Sequence, residues 1–188
     1  MGFLNRIDYF APVLDSEFRL ACKLNQTFTP AFIDWNYGTL EDDYILNGSP
    51  HSSLGTNILV GNKYTLLRDE FLEWREYSLN RRINPSLNNI LINLGGSDPQ
   101  NITSNIVNIM EKSNLSSKIS LTIILGEASI HISKLKKSIK KSKFSVDIKV
   151  GINNMAELLS KCDLAIGAAG SSSWERCYLG VPSILYSI

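Results

Sequence analysis

Three consecutive hydroxyl side chains and one carboxylate stand close together near the end of the chain, at Ser171, Ser172, Ser173 and Glu175. They follow residues 167–170, Gly-Ala-Ala-Gly, which are small enough to let a ligand touch the backbone. Any of the hydroxyls can cap the start of a helix, and free N–H groups at a helix start favour phosphate. A carboxylate in the first turn of such a helix can accept hydrogen bonds from both hydroxyls of a ribose. The pattern predicts a nucleotide site, although an ordinary turn of an α/β protein has the same composition.

A second glycine-containing loop, residues 95–98, follows the apolar run 89–94 and precedes a helical pattern. Gly95 and Gly96 can adopt backbone angles that other residues avoid, and they let an anion approach. The loop matches neither the dinucleotide fingerprint nor a Walker loop, so taken alone it is better explained as a turn. Both loops, however, come at the carboxyl ends of strands in one predicted sheet, where ligands bind. We therefore expect the two loops to form one site.

The elements that position these loops alternate between short apolar runs and amphipathic helices, which predicts a parallel, Rossmann-like sheet. The predicted strands are 89–94, 119–125, 144–150, 164–166 and 183–185, the last one buried. The predicted helices are 102–110, a basic helix that includes residues 134–143, 155–159 and 173–179. The first helix is expected to place Ile102, Ile106, Ile109 and Met110 on one face.

The preceding part of the chain predicts a second, less complete α/β unit. Helices are predicted at 15–24 and 66–79, with strands at 28–33, 44–46 and 57–61. Residues 81–85 break the helical pattern and are predicted to be a linker. We therefore expect residues 1–80 to be the remnant of an N-terminal lobe and residues 83–188 an incomplete C-terminal nucleotide-binding lobe. Both ends of the chain resemble parts of strands, which indicates a piece of a longer protein.

The composition argues against several other classes of protein. The chain has 188 residues with a net charge of +1, which gives no overall attraction to nucleic acid or membrane. Its basic cluster at 134–143 is explained by the solvated face of a helix. The three cysteines, Cys22, Cys162 and Cys177, show no metal-ligand spacing and predict a reducing cytoplasm. No apolar run approaches the roughly 18 residues of a membrane span.

Four segments, residues 7–10, 59–71, 94–98 and 163–177, together resemble one enzyme family. They resemble the UDP-2,4-diacetamido-2,4,6-trideoxy-β-L-altropyranose hydrolases of pseudaminic acid synthesis, which have relatives in spore-coat polysaccharide assembly. This family is similar to the lipid-II N-acetylglucosaminyltransferase. The resemblance implies an α/β fold with two Rossmann-like lobes of GT-B type, here with the N-terminal lobe incomplete and the last part of the C-terminal lobe missing.

The resemblance implies release of UDP from a 2,4-diacetamido-trideoxyhexose by attack of water at the anomeric carbon, without a metal or cofactor. The family uses a His in a Gly-rich loop as base, and no His precedes His51 here. The catalytic residues are therefore unassigned, and the chain is expected to lack the base. Two alternatives stay open: a GT-B glycosyltransferase, in which a sugar hydroxyl replaces water, and a chain that binds a UDP-sugar without turnover.

The resemblance also implies a set of nucleotide-binding residues. Gly95, Gly96 and Ser97 are expected near phosphate, Gly170, Ser171, Ser172 and Ser173 in the second loop, Glu175 at the ribose, and Met155 near uracil. The implied partner is thus a UDP-sugar, and the oligomeric state stays open.

Overall fold

A parallel five-stranded sheet organises the larger of two units, Met1–Leu66 and Leu67–Ile188, into which the chain divides. A computed structural model describes residues 30–32, 44–47, 58–60 and 67–186. The helix predicted at 15–24, the segment 7–10 and His51 lie outside the described residues.

Three short strands are described in the first unit. They are β1 (Pro30–Phe32), β2 (Tyr44–Asn47) and β3 (Ile58–Val60), and they pair in parallel in that order. All three fall on strands that the sequence predicts. Parallel pairing requires crossover connections, which is typical of an α/β unit and not of a hairpin.

The second unit alternates strand and helix, as the hydrophobic pattern predicts. Its strands are β4 (Asn89–Asn93), β5 (Ser120–Leu125), β6 (Ser145–Val150), β7 (Leu164–Ala168) and β8 (Ser183–Tyr186). Its helices are α1 (Asp69–Arg81), α2 (Ile102–Lys112), α3 (Ile132–Ser138), α4 (Met155–Lys161) and α5 (Ser172–Tyr178), with a short 3₁₀ turn at Ile139–Lys141. The strands lie in the order β6-β5-β4-β7-β8 and all pair in parallel, which confirms the predicted α/β class.

The central strand β4 is apolar and buried from residue 90 to residue 92 because both of its faces are covered. Ile90 and Ile92 belong to one core cluster, which includes residues of α2 and α3. Leu91 points to the opposite face and belongs to a second cluster with residues of α1 and α4. Since successive residues of a strand alternate between faces, a strand covered on both sides needs an unbroken apolar run.

Two predicted burial patterns are wrong. Ile109 is 68% exposed, and Val107 and Thr103 are buried in its place. At 3.6 residues per turn, Ile109 lies roughly a quarter turn from the centre of the buried face of α2. In β8, Ile184 and Leu185 are each 54% exposed. Within the described part of the chain β8 pairs with β7 alone, so it is an edge strand.

Helix α1 packs within the second unit, against α4 and α5. Phe71 is fully buried in the core, and the Ser78 hydroxyl donates to the carbonyl of Leu179 at 2.7 Å. Arg82, just after α1, donates to the carbonyls of Leu159 and Cys162 at 3.2 and 3.0 Å, where α4 ends. The second unit therefore begins before α1, whereas the sequence predicts a linker after it.

Asp163 joins β4 and β7 at the amino-terminal ends of these strands, opposite the end of the sheet at which the two predicted loops lie. Its carboxylate accepts hydrogen bonds from the backbone N–H groups of Asn88 and Asn89 at 2.7 and 2.8 Å, and it pairs with Arg81 at 2.5 Å. Burial raises the pKa of Asp163, but these hydrogen bonds outweigh it, so the pKa lies below its ordinary value. The ionised carboxylate therefore stabilises the start of both strands.

We expect Asp163→Asn to lower the free energy of unfolding by about 2 kcal/mol at neutral pH, because hydrogen bonds to a charged acceptor are lost. The folded-state pKa is depressed, so the stabilisation is present above the ordinary carboxyl pKa. It is lost as the pH falls through the folded-state value. Urea unfolding of both proteins at neutral and acid pH measures this. A difference between them that does not shrink toward acid pH would contradict the assigned role.

Candidate functional site

The two loops singled out in the sequence leave neighbouring strands at the same edge of the sheet. β4 and β7 pair in parallel, with Asn93 opposite Gly167. The chain runs from β4 outward through β5 to β6 and then returns to β7 on the other side of β4. Successive crossovers diverge at such a reversal and leave a crevice, which is where parallel sheets bind ligands. The predicted juxtaposition of the loops is therefore present.

A cavity of about 180 Å³ lies at the carboxyl ends of β4, β5 and β6. Its lining is mostly backbone and apolar side chains: Asn93, Gly95, Gly96, Ile124, Leu125, Gly126, Gly151, Ile152 and Met155. The volume is below the roughly 300 Å³ of small-molecule pockets, so the cavity suits one ring of a ligand and not a whole nucleotide. It brings together three of the residues predicted to bind a nucleotide, whereas Ser97 is exposed and does not line it.

The first loop is held by a residue that the sequence reasoning missed, Asn93. Its Oδ1 accepts a hydrogen bond from the backbone N–H of Gly95 at 2.9 Å, and its Nδ2 lies 3.9 Å from the Met155 sulfur. Gly95 has a φ of +94°, a conformation that other residues rarely adopt. Asn93 thus links the loop after β4 to the start of α4. The available signal in the sequence was an asparagine at a strand end, two residues before a glycine.

Gly126 is the second missed residue of the cavity. A side-chain carbon at this position would lie 2.7 Å from the Cα of Gly96 and closer still to its carbonyl oxygen. The loops after β4 and β5 therefore touch backbone to backbone at this point. Because only a residue without a side chain permits this contact, Gly126 fixes the shape of the cavity floor.

The second loop ends β7 and begins α5, but its hydroxyls do not cap the helix as expected. The Ser173 hydroxyl oxygen accepts from the backbone N–H of Gly170 at 3.3 Å and from the Arg176 guanidinium at 3.0 Å. Ser172 accepts from Arg176 at 3.1 Å. A buried guanidinium needs acceptors, and these hydroxyls supply them in preference to capping. Arg176 was not singled out in the sequence, because an isolated arginine in a helix usually faces solvent.

Glu175 lies in the first turn of α5, as predicted, and its side chain is 15% exposed. Arg68 lies beside it, with Nη2 3.5 Å from Oε1, and the same guanidinium lies 2.8 Å from the carboxylate of Glu70. Burial raises the pKa of Glu175, and the Arg68 charge partly offsets this. The carboxylate is thus largely shielded from water, where hydrogen bonds to a ligand are worth more than in solvent.

The predicted residues therefore fall into two groups on either side of β4. Gly95, Gly96 and Met155 line the cavity, and the loop that carries Gly170 to Glu175 follows β7. His131 stands at the start of α3, where its Nε2 lies 3.2 Å from the carbonyl of Pro99. In the part of the chain that the structure describes, no three His, Cys, Asp or Glu side chains cluster as a metal site. No helix among those residues is long and apolar enough to span a membrane.

Residues 90–186 match the glycosyltransferase family 28 C-terminal domain, a stretch that begins at β4 and ends with β8. The chain belongs to this family. The match spans both loops, the cavity and Glu175, whereas Arg68, which lies beside Glu175, precedes it.

Two curated proteins share recognisable sequence with this family 28 chain. It is 34% identical over 132 residues to an uncharacterized protein of Methanocaldococcus jannaschii, covering 69% of this chain and 27% of that protein. It is 29% identical over 161 residues to the spore coat polysaccharide biosynthesis protein SpsG of Bacillus subtilis, covering 85% of this chain and 44% of that protein. The chain thus spans less than half the length of either relative.

The fold is similar to that of Acinetobacter baumannii MurG, with a TM-score of 0.59 and 15% sequence identity. The likeness covers 91% of this chain and 49% of that one. At this identity it concerns the fold alone, and it agrees with the predicted Rossmann-like architecture of GT-B type.

Proposed function

We propose that the second unit binds the UDP part of a nucleotide sugar at the reversal of strand order between β4 and β7. One observation carries the proposal: two loops of small residues leave adjacent parallel strands at this point, and a shielded carboxylate, Glu175, stands just behind one of them. In this proposal the base occupies the cavity beside Met155, and the phosphates lie between the loops. Glu175 accepts hydrogen bonds from the ribose.

We further propose that the whole protein hydrolyses its nucleotide sugar, a UDP-linked 2,4-diacetamido-trideoxyhexose, with water as the attacking group. The four segments that resemble the pseudaminic acid hydrolases support this choice, and so does similarity to a spore coat polysaccharide biosynthesis protein. The two units would be two lobes of that enzyme, in the cytoplasm, where the free thiols of Cys162 and Cys177 stay reduced.

Glu175→Gln is the direct test of the nucleotide site. Because glutamine keeps the shape but loses the charge, we expect the affinity for UDP to fall about tenfold to a hundredfold. Calorimetric titration measures this, with the exposed Glu76→Gln as a charge-matched control on α1.

The raised pKa of Glu175 predicts that the affinity for UDP also depends on pH. Wild-type affinity should fall at acid pH, as the carboxylate gains a proton, more steeply than that of the Gln variant, in which only the UDP phosphates titrate. If wild type and Glu175→Gln bind UDP with equal affinity at all pH values, Glu175 does not contact the nucleotide.

Hydrolysis and transfer differ in whether water or a sugar hydroxyl attacks the anomeric carbon. Incubating the whole protein with the UDP-sugar, with and without candidate acceptors, and separating the products distinguishes them. Hydrolysis gives UDP and the free sugar at a rate that acceptors do not change. A product that forms only with an acceptor would support the glycosyltransferase instead.

A further inference from the structure

Arg176 carries a buried positive charge directly under the loop that follows β7. The residue is 3% exposed, and no carboxylate among the described residues lies within ion-pair distance of its guanidinium. Its hydrogen-bond partners are instead three neutral oxygens, those of the Ser172 and Ser173 hydroxyls and the Ala168 carbonyl, the last at 2.7 Å. Burial lowers the pKa of Arg176, and the neighbouring Glu175 carboxylate offsets this only in part. Burying a charge without an ion-pair partner in contact is costly, so this arrangement calls for an explanation other than stability.

Hydrogen-bond accounting shows what Arg176 does to the two serines. A serine hydroxyl has two acceptor positions and one proton to donate. Ser173 already accepts two hydrogen bonds, from Arg176 and from the Gly170 N–H, so it can only donate further. Ser172 accepts one, and neither hydroxyl donates to a protein acceptor in the described part of the chain. Both residues are half-buried, and each hydroxyl keeps one proton to donate.

The guanidinium also lies close to the ends of both strands that precede the loops, β4 and β7. A side-chain carbon at Gly167 would lie 2.6 Å from Arg176 Nη1 and 3.0 Å from the carbonyl oxygen of Asn93. The charge is therefore packed against the ends of β7 and β4, at the reversal of strand order. A fixed positive charge in a shielded position attracts anions more strongly than one in water.

We propose that Arg176 is a positioning residue that orients the hydroxyls of Ser172 and Ser173 as donors to the phosphate oxygens of the bound nucleotide. This inference rests on the proposed nucleotide site and deepens it. Arg176 itself stays beneath the loop. A charge-assisted hydrogen bond from the guanidinium polarises each hydroxyl and strengthens the bond that it donates in turn.

The test compares UDP with uridine, which has the same base and ribose but no phosphate. We expect Arg176→Met in the full chain to weaken UDP binding about tenfold to a hundredfold and to leave uridine binding within about twofold, by calorimetric titration. Ser173→Ala should weaken UDP binding selectively in wild type and add little in the Arg176→Met background. Arg75→Met, which removes a charge near the other end of α5, is the matched control and should change neither affinity.

The outcomes separate the two proposals. If the wild-type chain binds no UDP, the proposed function is wrong and this inference falls with it. If UDP binds but its preference over uridine survives in Arg176→Met and in Ser172→Ala/Ser173→Ala, only the role of Arg176 is wrong. If Arg176→Met loses its thermal unfolding transition, the double serine variant decides, because its side chains are only half-buried.

Discussion

Gly126→Ala is expected to abolish UDP binding and to lower the free energy of unfolding by about 1–3 kcal/mol. The added carbon would lie 2.7 Å from the Gly96 Cα, closer than non-bonded carbon atoms approach. The obstruction is backbone and not the end of a flexible side chain, so one of the two loops must move away from the other. Either displacement changes the floor of the cavity in which the base is proposed to lie.

Thermal and urea unfolding together with UDP titration measure both effects of Gly126→Ala. Gly170→Ala is the stability control, because an added carbon there meets no atom within 4 Å and Gly170 is not among the glycines with a positive φ. The control should unfold within about 0.5 kcal/mol of wild type, since it creates no steric conflict. Wild-type stability and affinity in Gly126→Ala would show that the two loops do not touch as described.

The second large effect is expected for Arg82→Met, which should lower the free energy of unfolding by about 2–4 kcal/mol. The guanidinium donates to the carbonyls of Ser78, Leu159 and Cys162, at 2.5, 3.2 and 3.0 Å. These carbonyls belong to the ends of α1 and α4, where helical partners run out. Methionine fills similar space but removes all of these charged hydrogen bonds from a partly buried place. The Ser78 carbonyl loses its side-chain donor, whereas the Leu159 and Cys162 carbonyls keep the Cys162 N–H and the Arg81 guanidinium.

Urea unfolding measures the loss in Arg82→Met, and the exposed Lys136→Met on α3 is the matched control for removing one positive charge. Arg82→Lys keeps the charge but cannot reach several carbonyls at once, so an intermediate stability is expected. If the methionine variant is as stable as the Lys136 control, the carbonyls are satisfied in some other way and Arg82 is not the clamp between α1 and α4.

Much of the fold follows from local patterns in the sequence. The central strands β4 and β7 carry continuous apolar stretches, and the alternation of strands with helices requires parallel pairing, so the class and the common edge of the two loops were predictable. The position of Glu175 in the first turn of α5 followed from the turn before it. These features depend on neighbours in the chain, and hydrophobic periodicity reports such neighbours well.

The missed features depend on contacts between distant segments. Gly126 resembles any glycine at a strand end until Gly96, thirty positions earlier, is seen to pack against it. The three serines have the composition of a helix cap, and only the burial of Arg176 shows that the hydroxyl oxygens of Ser172 and Ser173 are already engaged. Ile109 was misplaced because an apolar residue a quarter turn from the core has the same spacing as one that is buried.

The packing of α1 has a practical consequence for dividing this polypeptide into pieces. Phe71 fills the apolar layer beneath β4 and β7 together with Leu91 and Leu179. A recombinant fragment that started at residue 83 would lack Phe71 and would expose the apolar side chains that it covers, which favours aggregation. We therefore expect the shortest fragment of the second unit that folds to keep α1, and limited proteolysis to cut the chain before this helix and not behind it.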